Sequence, residues 1–267
     1  MRWVVVAVAA CGTLLPAARG RAQEHAIGAY AVLGLEDVSL QGRVRVSGGD
    51  IGANRGTVTL GAGSRVDGTV AADTIRVRRG ARAGDFFCRL MEGSTAIPCG
   101  TLTLPVVDVA TLSLVQVVPG AAEVRVPARA VTAPLDPGAY GAVKIGPRGR
   151  LLLAGGSYAV RSIAIAPKGR LLCAAPCRLA VQERVTLSPG ARLGVVPPLD
   201  AHALRIDVEA GGHGAAVTTG AHSALTGTVY APSGDVVLGG AGRYEGTFIG
   251  RSVKVGAGAR IAGASSF

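Results

Sequence analysis

The chain has 267 residues, of which 40 are glycine, 49% are hydrophobic and only 17% are charged. Glycine without a collagen-like period, together with abundant valine, leucine and isoleucine, is typical of short strands separated by tight turns, and no segment has the 3.6-residue period of a helical bundle. The formal charge of +11 comes mostly from arginine; it is compatible with acidic partners such as lipopolysaccharide, acidic polysaccharide or nucleic acid, and a GC-rich genome also produces it.

The segment 1–22 has the features of an export signal. Arg2 provides a positive charge, residues 3–15 are apolar, and Ala22 supplies a small residue at a cleavage site. Thirteen apolar residues are few for a helix that spans a bilayer. A lipoprotein box ending at Cys11 and a retained anchor helix are the alternatives to ordinary cleavage. We therefore expect an exported protein, in the periplasm, at the outer surface or outside the cell.

One phrase recurs along the rest of the chain. It consists of an aliphatic residue, any residue, a second aliphatic residue, four turn-like residues and then arginine, as in residues 58–66. Most neighbouring copies lie 17 to 22 residues apart, and one copy has Ala224 in place of arginine. The arginine position of the other copies holds Arg65, Arg82, Arg150, Arg170, Arg192, Arg243 and Arg260.

This repeat predicts an all-β fold, a parallel β-helix (β-solenoid) of roughly 17–22-residue coils. The alternation of aliphatic residues is the two-residue period of a strand with one buried face, and a unit of this size must stack on its neighbours to bury that face. Pro147, Pro167 and Pro189 share one turn position, where a fixed φ is suitable. A β-sandwich would not require arginine at a fixed distance from the turn. The predicted core contains Val58, Leu60, Val66, Ile75, Val77, Val143, Ile145, Ile163, Ile165, Val185, Leu187, Val253 and Val255.

Four cysteines remain after the signal. An even number of cysteines in an exported chain indicates disulfides, although the sequence alone leaves three connectivities open. We favour the two local pairs, Cys88–Cys99 and Cys173–Cys177. The spacing argues against a metal site, because no histidine lies near either pair and neither is a C-x-x-C motif.

The repeat divides the chain into a signal peptide (1–22), N-terminal solenoid coils (23–84), a disulfide loop with a proline-rich excursion (85–137) and a C-terminal solenoid (138–267). The excursion is predicted because the phrase is interrupted there and proline is frequent. Whether the two blocks form one rod stays open at this point. The last coil ends near Ile261, and we expect it to be an accessible end of the rod with Phe267 as a small lid.

Residues 246–263, with glycine-rich corners and Val-x-Val strands, resemble bactofilins and related polymer-forming β-helix proteins, and 135–143 resemble a phrase of uncharacterised exported bacterial β-helix proteins. The resemblance implies end-to-end self-association without nucleotide, although bactofilins are cytoplasmic. Residues 29–34 and 49–52 are similar to the opening of ice-binding β-helix proteins. Those proteins have threonine rows, whereas Thr57-Val58-Thr59 and Thr226-Gly227-Thr228 do not recur in phase.

Motifs of catalysis are missing from the sequence. There is no G-x-S-x-G motif, P-loop or metal-binding H-E-x-x-H motif, so we expect no enzyme activity, metal or cofactor. Asp207 and Glu209 are interpreted as part of an exposed strand face, and His202, His213 and His222 as solvated loop residues. Tyr158 and Tyr244 are candidates for packing on corners.

The sequence thus predicts a non-enzymatic, self-assembling structural protein of the cell envelope or surface. The alternative is a module that binds acidic envelope polymers, polysaccharide or lipopolysaccharide, through the stacked arginines. Solvated arginines that discourage edge-to-edge aggregation are the simpler explanation of the same residues. A polysaccharide-active or ice-binding β-helix comes third, and we do not expect nucleic acid as a partner.

Overall fold

The computed structural model describes residues 27–93, 98–102, 105–108, 114–210 and 214–263, and the structural statements below concern these residues. They form an all-β protein with 56% strand and about 11 turns of parallel β-solenoid. The predicted parallel β-helix is therefore confirmed. The predictions for the signal segment, Cys11, His213 and Phe267 lie outside the described residues.

The strands belong to two parallel sheets. The larger sheet has 14 strands: β1 (Tyr30–Leu40), β3 (Asp50–Ala53), β4 (Thr57–Leu60), β6 (Thr69–Val77), β7 (Asp85–Gly93), β8 (Val124–Val126), β9 (Gly138–Ile145), β11 (Gly156–Ile165), β13 (Cys177–Leu187), β15 (Leu204–Val208), β16 (Ala215–Thr219), β18 (Thr228–Ala231), β19 (Asp235–Leu238) and β21 (Phe248–Val255). The smaller sheet has eight: β2 (Arg45–Ser47), β5 (Arg65–Val66), β10 (Arg150–Leu153), β12 (Arg170–Cys173), β14 (Arg192–Val195), β17 (Ala224–Thr226), β20 (Arg243–Glu245) and β22 (Arg260–Ala262). Short 3-10 helices span Ile27–Ala29 and Ala201–Ala203.

Most coils are built from three short straight segments. The long strands of the larger sheet contain a register shift, between Val160 and Ser162 in β11 and between Gly34 and Asp37 in β1. A shift of this kind bends a strand and marks a corner of the coil. In other coils the same two segments are separate strands, such as β15 and β16. A β-turn then leads into the smaller sheet, which supplies the third side.

The two repeat blocks form one rod, but in the reverse of their chain order. Strand β1 pairs with β21, so the N-terminal block stacks on the last coil of the C-terminal block. Strand β22 likewise lies between β20 and β2, and Ile261 neighbours both Tyr244 and Val46. The prediction that the C-terminal coil is an accessible end of the rod is therefore wrong. The reason is that its open edge is covered by the first coil of the same chain.

The ends of the rod are β7 and β8, which both come from the stretch predicted as an excursion. Strand β7 continues the N-terminal block, and β8 begins the C-terminal block. In the described chain between them, Gly100 forms a bridge with Phe87 of β7, and Leu102, Val106, Val107 and Val115 pack on the outside of the larger sheet. We call the described parts of this chain (98–102, 105–108 and 114–123) the connecting segment.

The connecting segment forms a second, smaller core with the outer side of the sheet. Val106 and Val107 are buried against Leu33, Ile249 and other apolar residues there. Two side chains fix its backbone: Asn54 Oδ1 accepts a hydrogen bond from Val107 N at 2.8 Å, and Glu209 Oε2 accepts one from Val117 N at 3.0 Å. The outward face of these strands is thus covered by protein.

The main core runs through the inside of the coils. All thirteen predicted core residues are buried in it, each at most 5% exposed. Tyr158 and Tyr244, which were suggested to pack on corners, are also buried, at 2% exposure each. Their hydroxyls bond to corner residues: that of Tyr158 accepts from Gly155 N, and that of Tyr244 donates to Gly239 O. Both tyrosines occupy inward positions of their strands, where a large side chain can still fill the core because its hydroxyl is hydrogen-bonded.

The cysteines form the two predicted local pairs. Cys88 is bonded to Cys99 and Cys173 to Cys177, with Cα–Cα distances of 5.5 and 6.2 Å. Because disulfides persist in oxidising compartments, the pairs indicate a location outside the reducing cytoplasm. No helix in the described parts of the chain has the length and hydrophobicity needed to cross a membrane.

Candidate functional site

The smaller sheet carries a column of arginines in register across neighbouring coils. Its outward position holds, in order along the rod, Arg150, Arg170, Arg192, Ala224, Arg243, Arg260, Arg45, Arg65 and Arg82. All seven arginines predicted from the repeat lie in this column, and Arg45 is an eighth member. At a strand spacing of about 4.8 Å, the nine positions span about 38 Å. We call this set the arginine column.

The position of the column follows from the local fold. In each coil the residue before the column position belongs to the β-turn and the residue after it points into the core, as Leu151, Leu171 and Leu193 do beside their arginines. Alternation along a strand therefore turns each arginine outward. Hydrophobic stacking inside the rod thus fixes the spacing of charges outside it.

All eight guanidinium groups are exposed, and acidic partners are scarce around them. Ion pairs in the described parts of the chain join other residues, such as Arg76 with Glu92 and Arg251 with Asp235, and none includes an arginine of the column. Like charges one strand spacing apart repel each other, by about 1 kcal/mol per pair at the dielectric constant of water. An anion placed along the column would relieve this repulsion.

A groove of about 720 Å³ follows the column over the middle of the rod. Arginines line it from Arg192 to Arg65, and its other lining residues are mostly small, including Ser47, Ala224 and Ala262. Two carboxylates, Asp67 and Glu245, also face the groove. It is therefore a long, open and mainly cationic surface that can accept hydrogen bonds at two points.

A buried polar network supports the groove from inside. The Tyr244 hydroxyl donates to Gly239 O at 2.9 Å and lies 2.6 Å from Thr219 Oγ1, which accepts from Gly239 N at 2.7 Å. Burial raises the pKa of Tyr244, so its hydroxyl stays protonated as this donor. Packing of Tyr244 edge-on against Phe248, with ring centroids 6.0 Å apart, completes the support.

The other acidic candidates have structural contacts. Asp207 is buried and accepts hydrogen bonds from Arg178 Nε and Arg205 Nε, both at 2.8 Å, while Glu209 holds the connecting segment. The interpretation of this pair as an exposed strand face is therefore wrong, because the connecting segment and the two arginines cover it. His202 lies in the second 3-10 helix and His222 at a corner, and both are exposed. Among the described residues, no three His, Cys, Asp or Glu side chains form a group that could hold a metal ion.

The sequence does contain the repeat spacing of Arg45, the arginine of the column that was not predicted. Arg45 follows Leu40 by five residues, as every other column arginine follows its second aliphatic residue. Val44 in the preceding turn hides the phrase because the turn then looks like part of a strand. Hydroxyl residues also share one outward position of the larger sheet, at Thr186 and Thr218 and again at Ser39 and Thr59, but Val237 and Lys254 interrupt them.

Comparison with the profiles of known protein families, with curated proteins and with solved structures gives no match.

Proposed function

We propose that this protein is an exported, non-enzymatic rod. It binds an acidic envelope polymer along its arginine column. The observation that carries the proposal is the register of eight exposed arginines at one strand spacing, with no ion-pair partner among the described residues. Each guanidinium can bind a carboxylate or phosphate with two parallel hydrogen bonds. A linear polyanion would therefore meet one cation for each coil that it crosses, except at Ala224.

Removing charge from the centre of the column tests this proposal. The triple variant Arg243→Gln/Arg260→Gln/Arg45→Gln should bind labelled polygalacturonate about tenfold more weakly at low salt, at about 0.5 kcal/mol for each exposed contact. Binding by the natural protein should weaken as salt rises, since exposed charges are screened. Fluorescence anisotropy at two sodium chloride concentrations measures both effects.

The matched control removes the same charge elsewhere. Arg55, Arg161 and Arg184 are exposed, lie outside the column and form no ion pair in the described residues. The variant Arg55→Gln/Arg161→Gln/Arg184→Gln should retain binding within about twofold. Equal losses in the two triple variants would mean that net charge alone attracts the polymer, and the column would then have no special role.

End-to-end self-association is the second candidate, and a charge pattern at the rod ends favours it. One outward position of the larger sheet ends at Glu92 on β7 and at Arg125 on β8. If β7 of one molecule stacks on β8 of the next, Glu92 lies beside Arg125 and the inward residue Met91 beside Val124. Exposed Leu90 and Val131, at 52% and 72%, provide further apolar surface near these ends.

Charge reversal separates this candidate from polymer binding. Sedimentation velocity at high protein concentration should show assemblies that Glu92→Arg or Arg125→Glu weakens and that the double variant restores, because it regains opposite charges. Neither single variant touches the arginine column, so polygalacturonate binding provides the control. A monomer at every concentration would exclude self-association and leave polymer binding unaffected.

A further inference from the structure

The arginine column has one interruption, and it lies within the groove. Ala224 pairs with Arg192 on one side and with Arg243 on the other, so these two arginines are two strand spacings, about 9.6 Å, apart. The coil is otherwise regular there, since Leu225 continues the inward position and is fully buried. The interruption therefore replaces a long, charged side chain by a methyl group without disturbing the sheet.

The surface beside this interruption carries mostly short side chains. The outward position next to Ala224 holds Gly194, Thr226, Glu245 and Ala262 in successive coils. A Cβ added to Gly194 would lie 3.1 Å from Thr226 Cβ, so these two strands approach closely. Because Ala224 has only a methyl group, the gap between Arg192 and Arg243 is wider than that between adjacent arginines of the column, and it can accept a group bulkier than a phosphate or carboxylate.

The carboxylate of Glu245 indicates what kind of polymer fits. A chain that carries only anionic groups would be repelled by Glu245 and by Asp67, which also lines the groove. A polymer with hydroxyl groups would instead donate hydrogen bonds to these carboxylates and present its own acids to the arginines. Thr226 supplies a hydroxyl at the same place.

We propose that the interruption at Ala224 is a subsite for one sugar ring of a polyuronate, whose carboxylates bind the flanking Arg192 and Arg243. This inference rests on the proposed polymer binding and specifies its ligand. A polyuronate has one carboxylate and free hydroxyls on every ring, and a ring advances an extended chain by about one strand spacing. The carboxylates of the two rings that flank the subsite ring are therefore about two strand spacings apart, as Arg192 and Arg243 are, while the subsite ring offers hydroxyls to Glu245.

The decisive variant adds charge and is expected to weaken binding. Ala224→Arg completes the column but fills the subsite, so the affinity for polygalacturonate should fall about tenfold although the net charge rises by one. Inorganic polyphosphate is the comparison probe, because it carries charge without rings or hydroxyl donors. Its affinity should rise about twofold or more with the added guanidinium. Fluorescence anisotropy with the full-length exported protein measures both.

Two further variants keep the test independent of one substitution. Ala224→Leu fills the space without charge and should weaken polygalacturonate binding while leaving polyphosphate within about twofold. Glu245→Gln removes the carboxylate and should strengthen polyphosphate binding but weaken polygalacturonate binding, because a neutral amide is the poorer acceptor. Circular dichroism and the melting temperature establish that each variant is folded.

The outcomes separate this inference from the proposed function. If Ala224→Arg strengthens the binding of both polymers, the subsite does not exist and the ligand is a chain of uniform charge such as polyphosphate or nucleic acid. If the triple substitution of Arg243, Arg260 and Arg45 changes neither affinity, the column binds no polymer and the proposed function itself fails. Opposite signs for the two probes in Ala224→Arg support the polyuronate.

Discussion

The corners of the coils depend on single residues with a left-handed backbone. The second residue before each of the nine column positions, and before Val131, which neighbours Arg150, has a φ between 52° and 73°; these ten residues are Arg43, Gly63, Gly80, Arg129, Arg148, Lys168, Gly190, His222, Ala241 and Gly258. Three of these turns have proline just before this residue, as in Pro147-Arg148, where Gly149 N donates to Gly146 O. This is the geometry of a type II turn, which glycine adopts most easily. Six of the ten corners nevertheless have a side chain.

Substitutions at Gly258 and Ala241 measure how much a left-handed corner residue changes the free energy of unfolding. Nothing lies within 4 Å of a Cβ added to Gly258, so Gly258→Ala should lower the free energy of unfolding by about 1 kcal/mol through backbone strain alone. At the equivalent position of the neighbouring coil, Ala241→Gly should raise it by about 0.5 kcal/mol, because the relief of strain exceeds the added chain entropy. Equilibrium urea denaturation measures both.

The control for this pair lies at the same corner. Ala257 is exposed and has no positive φ, so Ala257→Gly should destabilise the protein by about 0.4–1 kcal/mol through chain entropy. If Ala241→Gly and Ala257→Gly had the same sign, the left-handed geometry of the corner would not be under strain.

Residue-level expectations from the sequence succeed where the repeat determines them. The seven arginines and the thirteen core residues have their predicted positions. The spacing between strands and the alternation of inward and outward side chains along each strand determine these positions. Asp207 is different: it is buried because Arg178 and Arg205 and the connecting segment converge on it. Such contacts depend on chain segments far apart in sequence, and no local pattern contains them.

At the level of elements, the connecting segment is the least predictable part. The stretch predicted as an excursion contains the connecting segment, but β7 and β8 also lie within it as the terminal strands. They were missed because Val131 stands at the arginine position in the coil of β8, and because Gly93 in β7 stands where the phrase requires its second aliphatic residue. Asn54, the only asparagine of the chain, is explained by its bond to Val107 rather than by any repeat.

The disulfides should stabilise different elements. Cys88–Cys99 ties the terminal strand β7 to residues 98–100, which extend its sheet through the bridge between Phe87 and Gly100. Chain-entropy arguments assign about 3 kcal/mol to closing this 11-residue separation and about 2 kcal/mol to the 4-residue separation of Cys173–Cys177. In Cys88→Ala/Cys99→Ala, amide exchange in Asp85–Gly93 should therefore accelerate by about two powers of ten.

The second pair supplies the control. Cys173→Ala/Cys177→Ala should accelerate exchange in β12 and β13 and leave β7 unchanged, because coils of a solenoid contact only their neighbours. Uniform acceleration along the whole rod in either variant would show that the solenoid opens as a single unit.

At the scale of the whole molecule, the first and last coils of the chain are neighbours in the middle of the rod. Its last coil supports its first coil, and the connecting segment runs back between the two true ends. Repeat spacing predicts each coil and the parallel stacking, but every coil presents the same kind of surface to its neighbours. The order of the two blocks is therefore decided by the junction of β21 with β1, which sequence periodicity does not contain.

This topology predicts that a circular permutant is a regular solenoid. Gly263 N bonds to Ser47 O at 2.6 Å, and a Cβ on Gly263 would lie 3.0 Å from Ala31 Cβ, so the end of the described C-terminal coil lies beside β1. Joining Gly263 to Ile27 through about four glycine and serine residues should preserve the fold. New termini between Val118, which is 85% exposed, and Pro119 cut only the connecting segment.

The permutant should refold at least about tenfold faster than the natural chain order, because the contacts between β1 and β21 become local and the loop that they close becomes short. Stopped-flow fluorescence of 1-anilinonaphthalene-8-sulfonate exclusion measures the rate, and circular dichroism should show the same strand content in both proteins. A control cut at the same site without joining Gly263 to Ile27 should refold no faster, since its two blocks must find each other without a link. Equal rates for the permutant and the natural order would mean that the β1–β21 junction forms after the rate-limiting step, and the coils within each block would then set the speed of folding.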